Sequence, residues 1–238
     1  MVAVKVENIN KSFKKTQALI DVSFEIEEGE LVALLGENGA GKTTLIKILC
    51  SLLKKDGGKA EIFGLDLDKD SKNIKPLVNI SLQETAVAPN LTVLENLKLI
   101  CSLYGADDGN IEKIINRLGL SKVADKKAKT LSGGTQRRLS IALSLITEPK
   151  LLFLDEPTLA LDVSIRRELW KLIKELKKEM TVVLTTHYIE EAKALADRAI
   201  ILSEGKVVAV GTPEQLTANA GKSDFEEAFL YYIGEGAE

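Results

Sequence analysis

Hydrophobic residues recur along this chain at two periods, and the switches between them mark out its elements. Val2, Val4 and Val6 alternate with polar neighbours, as do Val22, Phe24 and Ile26, the pattern of strands with one buried face. The segment before Leu31 therefore predicts short strands, with Glu28-Gly29 as a turn. Leu31 to Leu35 is apolar throughout, as in a strand covered on both faces. It runs into the glycine-rich stretch Gly36 to Gly41 and then a helical pattern from Lys42 to Leu53. Lys54-Lys55-Asp56-Gly57-Gly58 reads as a turn, and Lys59 to Phe63 as another strand.

From Glu84 to about Thr130 the periodicity is helical. Thr92 and Glu95 have capping-box spacing and open a helix that stops near Gly105. A second helix is predicted from about Ile111 to Leu118, with Gly119 as its stop. Buried strands then return at Leu151 to Leu154 and Met180 to Thr185, each followed by a helix. Asp162 is placed to cap the first of these, whose apolar face is Ile165, Leu169, Ile173 and Leu176; Ile189 to Ala196 forms the second. Ala199 to Leu202 and Lys206 to Val210 flank Ser203-Glu204-Gly205 as a hairpin. Strands alternating with helices imply a mostly parallel sheet covered on both faces, with the stretch after Glu84 inserted into that α/β core. No internal repeat or low-complexity linker interrupts the pattern.

Composition narrows the class. The 238 residues carry 32 Lys+Arg against 35 Asp+Glu and are 45% hydrophobic, which excludes collagen-like, disordered and disulfide-scaffold chains and allows one to two domains. A net charge of −3 supplies no basic footprint, so no nucleic-acid partner is expected. No apolar run reaches the roughly 18 residues of a bilayer span, and Met1 to Asn10 lacks the apolar stretch of a secretory leader. Contact with a membrane is therefore expected to go through another protein. Cys50 and Cys101 show no metal spacing and read as buried, reduced thiols of a cytosolic chain.

Three stretches carry chemistry. Gly36-Glu37-Asn38-Gly39-Ala40-Gly41-Lys42-Thr43 matches the phosphate-binding loop, whose backbone N–H groups point at phosphate oxygens ahead of a helix N-terminus. Lys42 is the candidate for the β- and γ-phosphates, and the Thr43 hydroxyl for Mg²⁺. Leu151 to Leu154 delivers Asp155 and Glu156 at the carboxyl end of a strand, where open α/β sheets bind ligands. Asp155 is the candidate to hold Mg²⁺, commonly through water, and Glu156 to polarise an attacking water. Leu131-Ser132-Gly133-Gly134-Thr135-Gln136-Arg137-Arg138-Leu139 reads as an N-cap followed by two glycines that leave helix N–H groups open to an anion.

Along the chain the order is phosphate loop, Gln83, the Ser132-Gly133-Gly134 stretch, the Asp155-Glu156 strand and then His187, and in that order the motifs resemble the ATP-binding cassette (ABC) family over nearly the whole chain. The resemblance implies an α/β P-loop NTPase fold: a RecA-like core, an antiparallel β-subdomain and an inserted helical subdomain. It places the ATPase domain at residues 1–220, its helical insertion at about 84–134, and a short tail helix at 221–238. It implies that Gly36, Glu37, Asn38, Gly39, Ala40, Gly41, Lys42, Thr43 and Thr44 bind ATP and that Phe13 stacks on its adenine. Thr43, Gln83 and Asp155 would contact Mg²⁺, Glu156 would serve hydrolysis, and His187 would contact the γ-phosphate. In the family two cassettes pair head-to-tail, so Ser132, Gly133 and Gly134 would reach ATP held by a second copy or a homologous cassette, with Asp162 in the dimer loop.

The implied protein is an ATPase, the motor subunit of a membrane transporter, working at the cytoplasmic face through a separate transmembrane permease. Two departures stand out: Thr135 replaces the usual Gln of the signature, and Leu159-Ala160-Leu161-Asp162 lacks the usual Ser. Variation at the position of Thr135 occurs among exporter-type cassettes. The tail, Asp224-Phe225-Glu226-Glu227-Ala228-Phe229-Leu230, resembles that of drug, sodium, polysaccharide or lipid exporters. A small helix packing on its own domain accounts equally for the stripe Phe225, Phe229 and Tyr232. Two other readings stay open: a non-transport cassette ATPase of translation or DNA repair, and a non-hydrolysing ATP-binding module.

Overall fold

The structure, a computed structural model, describes residues 1–84 and 86–234. Two sheets organise them. In the first, β1 (Val2–Phe13), β2 (Thr16–Glu27), β4 (Gly57–Ile62) and β5 (Leu65–Asp66) pair antiparallel in the order β2-β1-β4-β5. The second comprises β3 (Leu31–Leu35), β6 (Val78–Ser81), β7 (Leu151–Asp155), β8 (Thr181–Thr186), β9 (Arg198–Ser203) and β10 (Lys206–Gly211). Its order is β10-β9-β3-β8-β7-β6, parallel throughout except for the β9–β10 hairpin.

Helices fill the crossovers. α1 (Lys42–Leu49) follows β3, and the single turn α2 (Ser71–Ile74) precedes β6. Between β6 and β7 lie α3 (Val93–Tyr104), α4 (Ile111–Arg117) and α5 (Gly133–Leu145). α6 (Val163–Lys177) joins β7 to β8, and α7 (Ile189–Leu195) joins β8 to β9. α8 (Pro213–Ala220) and α9 (Phe225–Ile233) close the described chain. Among the described residues no helix is long and apolar enough to cross a membrane.

The unbroken apolar runs are explained by the two cores that the parallel sheet separates. Leu31, Ala33 and Leu35 of β3 face one core with Leu152, Leu154, Val182 and Leu184; Val32 and Leu34 face the other with Leu151, Phe153 and Val183. Successive strand residues point to opposite faces, so a strand buried on both must be apolar at every position. The first core takes helices α3 to α7; the second takes α1 and the antiparallel sheet.

The first two strands run longer than the short strands their alternation predicts. Each spans 12 residues because register shifts carry the pairing past polar interruptions. Asn8 and Asp21 both adopt left-handed backbone there, and Asn8 Nδ2 donates to Asp21 Oδ1 at 2.5 Å. Extra residues are thus absorbed as bulges rather than ending the strands. Helix α1, expected to reach Leu53, stops at Leu49, where Cys50 takes the cap and Ser51 turns left-handed at φ 56°. Thr92 and Glu95 do form the reciprocal capping box, and Gly105 closes α3 in left-handed conformation. Asp162 stands at the N-cap position of α6 with extended backbone, but its side chain makes no capping bond.

Both cysteines are free, Cys101 buried and Cys50 half-buried. Burial pushes the Cys50 thiol well above its ordinary range, so it stays protonated. The tail helix packs back on its own domain: Phe225 and Phe229 are buried among Leu195, Ala199 and Leu216, and the Tyr232 hydroxyl donates to the Leu216 carbonyl at 3.2 Å. Residues 235–238 of the expected tail lie outside the described residues, as does Thr85 of the expected insertion. Because Phe225 is 2% exposed, Phe225→Ala should lower unfolding free energy by about 3–5 kcal/mol in urea denaturation. A loss below about 1 kcal/mol would show that the tail is no part of the core.

Candidate functional site

Strand order builds the site. β8 lies between β3 and β7, so three neighbouring parallel strands end side by side. Leu35 leads into the glycine loop, Thr186 into His187, and Asp155 into Glu156. The loop turns back into α1, and a cleft of about 260 Å³ opens among Ala18, Asn38, Gly39, Gly41, Lys42, Thr43, Thr44, Gln83 and Glu156. Gly41 is required twice over: its φ is 105°, and a β-carbon would lie 2.5 Å from the Ala18 carbonyl.

Lys42 is buried, and its Nζ donates to the carbonyls of Gly36 at 2.7 Å and Glu37 at 2.9 Å. Burial lowers its pKa, opposed by the charges of Glu156, Asp155 and Glu37. Ala40 is buried behind the loop and accepts a bond from the Gly205 amide at 3.2 Å. The Thr43 hydroxyl lies 3.1 and 3.2 Å from the two carboxylate oxygens of Asp155. Thr185 Oγ1 donates to Asp155 Oδ1 at 2.6 Å and accepts from the Glu156 amide at 2.9 Å. Glu156 itself sits in the left-handed region at φ 45°, a conformation that costs a non-glycine residue about 1–3 kcal/mol. Its Oε1 lies 3.3 Å from His187 Nδ1. The His187 ring lies 4.2 Å from that of Tyr188 at a tilt of 42°, and the Tyr188 ring in turn lies 4.5 Å from the Arg166 guanidinium.

The structure thus brings together the phosphate loop, Thr44, Gln83, Asp155, Glu156 and His187. It does not bring in Phe13, which is 46% exposed at the end of β1, outside the cleft lining, with Lys11 Nζ 5.5 Å above its ring. Ser132, Gly133 and Asp162 are exposed and also stand apart from the cleft. Ser132 caps α5 as expected, accepting from the Thr135 amide at 3.4 Å, and its hydroxyl pairs with that of Thr135 at 2.9 Å. The unusual Thr135 is therefore tied to the cap. The two glycines differ. A β-carbon on Gly133 would meet nothing within 4 Å, whereas one on Gly134 would lie 2.4 Å from Ile165 Cγ2 of α6. Gly134 has a packing reason inside its own chain.

Four residues escape sequence reasoning. Ala18 lines the cleft from β2 but looks like any strand residue. Thr185 orients Asp155 from inside an apolar run, where a hydroxyl is the one available signal. Arg137 is buried on main-chain carbonyls, and burial pushes its guanidinium down to about 10, so it remains cationic at neutral pH. Glu191 of α7 is fully buried; its Oε1 accepts from Thr158 Oγ1 and Trp170 Nε1, each at 2.9 Å. Burial raises its pKa above the ordinary glutamate value.

Could these residues hold Mg²⁺? A hydroxyl and a carboxylate meet in the Thr43–Asp155 contact, with the Gln83 amide lining the same cleft. Among the described residues no group of three His, Cys, Asp or Glu gathers as a closed metal cage. That donor set fits a hard cation held by one or two protein oxygens and completed by phosphate and water.

A glycine loop at a strand-to-helix junction, facing a strand-borne Asp-Glu pair across a parallel sheet, defines a P-loop nucleotide-binding site. The sequence pattern of the ABC transporter family matches residues 19–159. The chain is 35% identical to the linearmycin resistance ATP-binding protein LnrL of Bacillus subtilis over 97% of this chain and 78% of that one. It is 38% identical to the doxorubicin resistance ATP-binding protein DrrA of Mycobacterium tuberculosis over 92% of this chain and 68% of that one. An ATP-binding subunit of an ABC transporter superposes with a TM-score of 0.85 at 26% identity, over 97% of this chain and 99% of that one. A dimeric cassette in a post-hydrolysis state with ADP and Pi superposes at 0.78 with 32% identity, over 88% of this chain and 98% of that one. The chain belongs to the ABC transporter family and is an ATPase of that family.

This packing has two testable outcomes. Gly134→Ala should cost about 1–3 kcal/mol and be relieved by trimming Ile165, whereas Gly133→Ala should leave the unfolding midpoint in place; equal effects would refute the distinction. A glutamate whose folded pKa is raised contributes stability that is complete below its unfolded pKa and lost as pH rises through the folded one. Glu191→Gln keeps an acceptor for Thr158 and Trp170, so its stability relative to wild type should grow as pH rises above the ordinary glutamate range in urea titrations. A pH-independent difference would mean that Glu191 is not held in this way.

Proposed function

We propose that this chain is the ATP-hydrolysing motor subunit of a membrane exporter, coupling ATP-driven closure of a cassette dimer to a separate permease. One observation carries the catalytic reading: Glu156 shares a cleft with Lys42, Thr43 and Gln83 while its carboxylate rests against His187. Residues 36–44 hold the phosphates through the loop amides, Lys42 supplies a cation, and the amino end of α1 adds its dipole. Thr43, Asp155 and Gln83 would hold Mg²⁺, which would supply positive charge against that building on the transferred phosphoryl group. Glu156 orients and polarises the attacking water, and Thr185 fixes both the Asp155 carboxylate and the Glu156 amide. His187, its Nδ1 engaged by Glu156, keeps Nε2 available to contact the γ-phosphate. Phe13 offers an exposed aromatic face to adenine next to the strand that contributes Ala18.

Ser132, Gly133 and Asp162 are exposed and outside their own chain's cleft, which suits residues that act on ATP held by a second copy or a homologous cassette. On this reading residues 1–220 are the ATPase domain, with 84–134 inserted to meet the permease near Gln83 to Asn90, and the tail is structural. Export is supported by relatives named for resistance to linearmycin and doxorubicin. The chain then works at the cytoplasmic face of the membrane, held there by its permease. ATP binding closes the dimer and hydrolysis reopens it.

Glu156→Gln should preserve ATP binding, reduce turnover by about 100-fold or more and accumulate a dimer in size-exclusion chromatography with Mg·ATP. Lys42→Ala should instead weaken binding itself. Unchanged hydrolysis by Glu156→Gln would remove Glu156 from its assigned role.

A further inference from the structure

Arg137 belongs to no part of the catalytic reading above, yet its guanidinium is engaged entirely by main-chain carbonyls. Nη1 donates to Leu82 at 2.5 Å, Nη2 to Asp155 at 2.6 Å and Nε to Pro157 at 3.0 Å, with the residue 6% exposed. Topology makes these carbonyls available. β6 and β7 pair only as far as Ser81 and Leu154, so Leu82 and Asp155 lie one step beyond the last rung. At the next residue Glu156 turns the chain away with φ 45°. Buried carbonyls without a donor are costly, and a planar fork of donors can serve several of them from one position.

The identity of the three carbonyls gives this contact its meaning. Asp155 and Pro157 flank Glu156, and Leu82 immediately precedes Gln83. One rigid cation therefore holds the backbone on both sides of the proposed hydrolytic carboxylate and next to the proposed Mg²⁺ contact. It does so from α5, whose amino end carries Ser132, Gly133 and Gly134. Ser140, one turn further along the same face, repeats the tie through its hydroxyl, 2.9 Å from that of Ser81 at the end of β6. Gly134, Arg137 and Ser140 thus form one buried stripe that seats α5 against the sheet edge and α6.

We propose that Arg137 is a positioning residue that couples α5 and the Gln83 segment to Glu156. A shift of the helices between β6 and β7 then reaches the hydrolytic carboxylate through a single side chain. This rests on the roles given to Glu156 and Gln83 above.

The test uses the full chain in Arg137→Met, which keeps length but no donors, and Arg137→Lys, which keeps charge with a single donor head. ATP affinity is read with a fluorescent ATP analogue, hydrolysis by single turnover with protein in excess, and folding by thermal denaturation. Arg137→Met should bind within about three-fold of wild type but hydrolyse at least about 30-fold more slowly, and Arg137→Lys should recover part of the rate. Gln83→Ala should then cost little more in the Arg137→Met background than alone, because the two act through one linkage. A folded Arg137→Met variant with wild-type hydrolysis, or losses that simply multiply with Gln83→Ala, would overturn the proposal. Should Arg137→Met fail to fold, Arg137→Lys decides: slower hydrolysis at unchanged affinity supports the coupling, and an unchanged rate refutes it. A parallel Glu156→Gln control separates the two ideas, since turnover surviving there condemns the reading of Glu156, whereas its loss beside a fully active Arg137→Met condemns the coupling alone.

Discussion

Parallel pairing of β3, β8 and β7 is the constraint on which the site depends. Strands that run the same way deliver their carboxyl ends to one edge, and in-register pairing from Leu31↔Val182 through Asp155↔Thr185 fixes those ends to within a residue. The phosphate loop, Thr185, His187 and the Asp155-Glu156 pair become neighbours without any contact in sequence. Their mutual hydrogen bonds refine an arrangement that the sheet has already made, and the hydroxyl of Thr185 serves both Asp155 and Glu156 because β8 pairs with β7 up to Asp155↔Thr185.

Parallel strands must be covered on both faces, and here the covering layers divide the labour. One face carries α1 and the antiparallel sheet, an apolar and closely packed base for the phosphate loop. The opposite face receives α5, whose seat near the sheet edge is polar: Arg137 and Ser140 replace the aliphatic side chains a helix would ordinarily bring. Polar seats of this kind are directional, so they specify one placement of the helix where an apolar seat would tolerate sliding.

Much of this is legible in the sequence, for a physical reason in each case. Leu31–Leu35 and Leu151–Asp155 announce themselves because burial on both faces demands unbroken apolar runs, and each run ends in reactive side chains or a glycine loop at the sheet edge. The capping box at Thr92 and Glu95 is local, so spacing alone reveals it. β6 is hidden because Val78–Ser81 is short and half-buried. The bulges at Asn8 and Asp21 break the alternation that marks a strand, although the pairing survives them. Arg137 and Glu191 look like solvated charges, since their significance depends on carbonyls and hydroxyls supplied from distant segments. The packing of Gly134 against Ile165 is likewise hidden, because that contact comes from α6, a separate helix further along the chain.

On the role proposed for Glu156, its left-handed backbone sets folding against hydrolysis at one residue. Chain physics alone would place glycine or asparagine there, because either adopts that conformation at little cost. On the role proposed for it, Glu156 therefore carries a backbone cost that a glycine at the same place would not.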